Sequence, residues 1–99
     1  MALKLPIDER LVIFDFEIRD GKFRNHDGSK TYNLIDAQLE LDGPVIRFVD
    51  YSTIIRDQLV DARSDGYFED GPPVAFKRER ISEESGKPYH YLEFEGVDG

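Results

Sequence analysis

The chain reads as a mainly β domain, five strands with one α-helix between the third and the fourth, and three observations lead there. Apolar and polar residues alternate with period two along residues 11–18 and 31–41, the pattern of a strand with one buried face. One segment, "DYSTIIRDQLVDARSDG", instead repeats its apolar residues at helical spacing. Asp-Gly and Gly-Pro pairs separate these stretches, as turns do.

The first strand lies in "RLVIFDFEIRDGKF". Val12, Phe14, Phe16 and Ile18 share one parity there, and Asp15, Glu17 and Arg19 share the other. Asp20-Gly21 offers a bend or bulge, after which Lys22, Phe23 and Arg24 carry the strand around a corner. "NHDGSK" follows as a turn, with Asp27-Gly28 able to supply the positive φ that hairpins need. From Thr31 to Leu41, Ile35, Ala37, Leu39 and Leu41 alternate with Asp36, Gln38 and Glu40 as the second strand. Asp42-Gly43-Pro44 breaks it, and Val45 to Val49 makes the third, paired with the second as a tight hairpin.

Ile55, Leu59 and Ala62 mark the buried face of the helix, Asp50 or Ser52 caps its start, and Gly66 suits the residue just past its end. "YFEDGPP" is a loop. Val74 to Ile81 and Tyr89 to Phe94 are the last two strands, joined by "SEESGKP". The ordered domain is expected over about residues 11–94, with both ends frayed.

Ninety-nine residues with 39% hydrophobic and 34% charged positions suit one highly charged domain with a single core. The absence of cysteine removes disulfides, thiolate nucleophiles and Cys-type zinc sites. No apolar run approaches the roughly 20 residues of a membrane span, and "MALKLPIDER" lacks the apolar core of a signal peptide. A cytoplasmic location is therefore the expectation. A net charge of −8 opposes long-range attraction to phosphate but leaves room for a local basic groove.

A helix between the third and fourth strands of a five-stranded meander, with a long first strand kinked at a glycine, resembles the OB-fold domains of single-stranded-DNA-binding proteins. The likeness covers roughly Leu11 to Phe94 and is carried by element order. It implies a small five-stranded OB-like Greek-key barrel whose binding face crosses strands two and three, flanked by the loops after strands one and four. The first flank, "RDGKFRNHDGSKTY", holds Arg19, Lys22, Arg24 and Lys30 with the rings Phe23 and Tyr32. The second, "KRERISEESGKPYHY", holds Lys77, Arg78, Arg80 and Lys87 with Tyr89 and Tyr91. Cations for phosphate oxygens and flat rings for stacking are the two ingredients of single-strand binding. Family members recruit partners through an acidic C-terminal tail, represented here only by the short "LEFEGVDG".

Plain structure accounts for part of the same pattern. Val74, Phe76, Arg78 and Arg80 alternate with Ala75, Lys77, Glu79 and Ile81, while Tyr89 and Tyr91 alternate with His90, Leu92 and Phe94. At least one aromatic set is therefore expected in the core, with Lys or Arg paired to Glu across the strands. Asp57, Asp61 and Asp65 form an acidic row on the helix, a solvated face or a surface for a basic partner. An enzyme is not expected. His26 and His90 show no metal or nucleophile spacing, "GSKTYN" lacks a phosphate-loop glycine pattern, and the acids of "DFE" bring no partner cation. No cofactor or metal is called for.

The expected function is non-catalytic binding of single-stranded nucleic acid. The alternative is an acidic module, an adaptor, inhibitor or nucleic-acid mimic, that engages a basic protein. Unpaired strand edges leave room for a homodimer.

Overall fold

The computed structural model describes residues 3–96, so residues 1–2 and 97–99 of the ends expected to fray, including the close of the acidic tail, lie outside the described residues. Six strands and one helix follow in the order β1 (Leu3–Lys4), β2 (Arg10–Asp20), β3 (Thr31–Gln38), β4 (Val45–Asp50), α1 (Thr53–Ser64), β5 (Val74–Ile81) and β6 (Pro88–Phe94). The five predicted strands are β2 to β6, and the helix falls where its spacing placed it.

The strands form one sheet in the order β1-β4-β3-β2-β5-β6, an open, curled half-barrel rather than a closed five-stranded barrel. The short β1 takes the outer edge of β4, and the two edge strands of the sheet, β1 and β6, do not pair. β2 is the spine of the sheet. It pairs with β3 along Val12 to Asp20 and with β5 over Arg10 to Val12 only.

The buried face of β2 differs from the one its alternation suggests. A β-bulge between Ile13 and Asp15 inserts a residue and reverses the parity. Leu11 and Ile13 therefore turn inward before the bulge and Phe16 after it, while Phe14 is left exposed. The irregularity expected at Asp20-Gly21 is simply the end of β2. β3 adds Ile35 and Ala37 to the core, β4 adds Phe48, β5 adds Ala75 and β6 adds Leu92.

Helix α1 lies against β6 and β3 and covers the open side. Its Ile55, Leu59 and Ala62 are buried, as the spacing predicts. Ser52 is the N-cap, its hydroxyl accepting from the Ile55 N–H at 3.1 Å, and Gly66 takes the positive φ (84°) beyond the C-terminus.

β1 lies in the segment expected to fray. Leu3 and Lys4 pair in parallel with Phe48 and Val49, and Leu5 is buried in the core. The chain then reaches the other side of the opening, where the Asp8 N–H donates to the Lys77 carbonyl at 2.8 Å. Burying the Leu5 side chain contributes about 1.5–3 kcal/mol toward holding this segment, alongside the β1 pairing and the Asp8 bond.

With no ladder between β4 and β6, side chains bridge the gap. Lys77 on β5 reaches Asp50 at the end of β4, Nζ to Oδ1 2.8 Å. The Ser52 hydroxyl donates to the His90 carbonyl at 3.1 Å. The Gln58 amide donates to the Leu92 carbonyl at 2.8 Å and accepts from the Leu92 N–H at 2.7 Å, taking both positions a neighbouring strand would take. Among the described residues no helix is long and apolar enough to cross a membrane.

Candidate nucleic-acid interface

The two flanks singled out in the sequence meet at one end of the half-barrel, around a groove of about 550 Å³. The β2–β3 loop supplies Arg24, Asn25 and His26. The start of β6 supplies Pro88, Tyr89 and His90. The end of β4 and the first turn of α1 supply Val49 to Ile54, β1 supplies Lys4, and β5 supplies Lys77.

The floor is a buried polar network. The Lys77 and Asp50 side chains are only 9% and 2% exposed. The second Asp50 oxygen, Oδ2, accepts from Asn33 Nδ2 at 3.1 Å and from the Ser52 N–H at 3.0 Å, and Asn33 also donates to the Ser52 carbonyl at 2.9 Å. Among the described residues no fully buried side-chain nitrogen or oxygen lacks a hydrogen-bond partner, as a low-dielectric site demands.

The wall formed by the β2–β3 loop is tied down from the helix. Arg56 of α1 donates to Asp27 Oδ2 at 2.8 Å, to the Ser29 hydroxyl at 3.0 Å and to the Thr31 hydroxyl at 3.1 Å. Asn25 Nδ2 donates to the Thr31 carbonyl at 2.9 Å, and the Arg24 guanidinium donates to the Gly28 carbonyl at 2.9 Å. The Ser29 hydroxyl and N–H, with the Arg56 guanidinium after them, hold the Asp27 carboxyl far below the usual carboxylate range. Because that value is depressed on folding, the contribution is complete above the ordinary carboxylate range, fades as the pH falls below that range, and is gone once strong acid protonates the folded group.

Arg56 is thus a positioning residue for Arg24 and His26. Arg56→Ala is expected to free the loop, with amide exchange at Asn25 and Gly28 faster by roughly tenfold for each 1.4 kcal/mol of local stability removed. Exchange rates equal to those of the parent protein would show that the loop holds itself.

The cations divide sharply. Lys4 and Arg24 line the groove with no carboxylate recorded against them among the described residues, whereas Lys77 is committed to Asp50. Asp50 is the one carboxylate that lines the groove among the described residues.

Of the residues read as candidates, the groove gathers Arg24, Lys77 and Tyr89. Lys77 is not the exposed cation its position suggested, because it points inward on β5 beside Ala75. Arg78, Arg80, Tyr89 and Tyr91 share the outer face of the β5–β6 hairpin. There the Arg78 guanidinium lies 4.5 Å over Phe76, Arg80 lies 5.3 Å over Tyr91, and the Tyr89 and Tyr91 rings are 6.1 Å apart. Arg78 is also claimed by Asp8 at 2.8 Å, whose hydrogen bond comes first in raising its pKa. Arg19 pairs with Glu17 at 2.7 Å on β2. Lys22, Phe23 and Lys30 stand exposed on the β2–β3 loop, Phe23 by 77%, and Lys87 is exposed at the hairpin turn. Tyr32 lies outside the groove, its ring 6.2 Å from that of Tyr51, which lines it.

The chain matches no protein-family description, no curated protein and no solved structure. The site therefore rests on its own geometry. Sequence reasoning missed Lys4, His26, Tyr51 and His90 as groove residues. Lys4 lies in a segment expected to fray, Tyr51 in a helix cap and His26 in a turn, while His90 falls in the second flank but on the parity opposite Tyr89 and Tyr91.

Proposed function

We propose that the protein is an OB-like module that binds single-stranded nucleic acid, without catalysis, in the groove between the β2–β3 loop and the β5–β6 hairpin. One observation carries the reading. In a chain of net charge −8, this groove is lined, among the described residues, by three cations and one carboxylate, and that carboxylate is already neutralised by Lys77. Lys4 and Arg24 are left for phosphate oxygens, and the Tyr51 and Tyr89 rings offer surfaces for bases. The element order β-β-β-α-β-β after β1 supports the likeness to an OB-fold.

Fluorescence anisotropy with labelled single-stranded oligo-dT tests this. Saturable binding that weakens with salt is expected, with Lys4→Ala and Arg24→Ala each lowering the salt slope by about 0.7. Tyr51→Ala is expected to weaken binding by about 1 kcal/mol or more, at least roughly fivefold. No saturable binding at low salt would overturn the reading.

A second reading has its own surface. Asp57 and Asp61 on α1 and Asp65 at its C-cap are all exposed, on the face away from Ile55 and Leu59, and would engage a basic protein. In that case Asp61→Lys/Asp65→Lys abolishes partner binding and leaves oligonucleotide affinity at the low parent level.

A further inference from the structure

Both of the chain's histidines line this one groove, His26 from the β2–β3 loop and His90 from β6. His26 is exposed and His90 about one-third exposed, so both can reach a ligand. An imidazole is the side chain that ordinarily changes charge between about pH 5 and 8. In a groove whose uncommitted permanent charges among the described residues are Lys4 and Arg24, two imidazolium ions would double the positive charge available to a phosphate backbone. We infer that His26 and His90 are ligand-contacting residues, and that their protonation makes the groove's affinity for single-stranded nucleic acid rise as the pH falls below neutrality. This inference rests on the nucleic-acid reading above.

The neighbouring charges decide how the effect divides. Beside His26, its own loop contributes Arg24 and a single carboxylate, Asp27, which Arg56 of α1 occupies at 2.8 Å. Lys4 comes from β1 on the same groove. Little negative charge is left to offset an imidazolium there. Because Asp27 stays ionised far below the usual carboxylate range, the loop anchor survives mild acid. His90 faces Glu79 on β5, Nε2 to Oε1 3.9 Å, and the Lys77–Asp50 pair lies at the groove floor. His90 is only about one-third exposed and already faces Glu79, so the exposed His26 carries the larger share.

The test is the oligo-dT titration repeated at about pH 5.5 and about pH 8 at one ionic strength. The parent protein is expected to bind roughly tenfold more tightly at the lower pH, with a salt slope steeper by up to about 0.7 for each added phosphate contact. His26→Asn/His90→Gln is expected to flatten the pH profile. His26→Asn alone, a change on an exposed loop that leaves the core untouched, must remove the larger part of it. Binding that is the same at both pH values, or a pH profile that survives His26→Asn, overturns this inference and leaves the nucleic-acid reading standing. Absence of binding at either pH overturns both.

Discussion

Replacing Lys77 with alanine is expected to lower the unfolding free energy by about 3–5 kcal/mol, the usual cost of leaving a buried charge without its partner. Asp50 is almost wholly enclosed and keeps its bonds to Asn33 and the Ser52 N–H, but neither neighbour carries a charge to balance it. Domains of this size hold only about 5–15 kcal/mol in total, so the loss removes a large share of the fold's stability. Urea denaturation measures it directly. Removing both charges with Lys77→Met/Asp50→Asn is expected to cost far less, because an amide there keeps hydrogen-bonding capacity and leaves no charge to neutralise. A cost for Lys77→Ala below about 1 kcal/mol would mean that water reaches Asp50 and that the pair does not hold the seam.

The same result governs how binding is tested. Loss of oligonucleotide binding in Lys77→Ala would report unfolding as readily as a missing phosphate contact. The double variant separates the two. It is expected to stay folded and to bind within about twofold of the parent, since Lys77 spends its charge on Asp50 and adds no net charge to the groove. Lys4 and Arg24 are the cleaner probes, each lining the groove without a buried partner.

What the residues disclosed and what they hid follow from the range of the interactions involved. The α1 face of Ile55, Leu59 and Ala62, its Ser52 cap and the β3–β4 hairpin are local, and period, cap and turn residues announce them. The bulge in β2 is set by pairing with β3, which no alternation within "LVIFDFEI" can reveal, so Phe14 was assigned to the wrong face. β1 was hidden for a similar reason, because two residues gain strand structure only from the edge of β4. At the site, parity correctly separated Lys77 from Arg78 and Arg80, but parity cannot say which face is inside. Asp50, far away in the chain, decides that for Lys77. The two flanks were both visible as mixtures of cations and rings. That Arg24 and Tyr89 line one groove, while Arg78 and Tyr91 look away from it, depends on the curl of the sheet.

The curl leaves the outer edge of β6 without a strand beside it, and Gln58→Met is expected to show what stands in for one. The Gln58 amide satisfies both the N–H and the C=O of Leu92, a residue only 2% exposed. Methionine matches its length and supplies neither hydrogen bond. Two backbone groups are then left in a nearly dry position, each costing about 1–3 kcal/mol, so a loss of roughly 2–6 kcal/mol is expected on urea denaturation. Gln58→Glu separates the two bonds. A carboxylate can still accept from the Leu92 N–H but cannot donate to its carbonyl, and this variant should fall between the parent and Gln58→Met. Amide exchange adds a local readout, since the Leu92 N–H should lose protection in the methionine variant and keep more of it in the glutamate one. Equal stability of parent and Gln58→Met would mean that α1 covers β6 by apolar packing alone, through Ile55 and Leu59. A loss of the expected size would show that one side-chain amide does for β6 what a paired strand does elsewhere in the sheet, and that the opening between β4 and β6 is a closed seam.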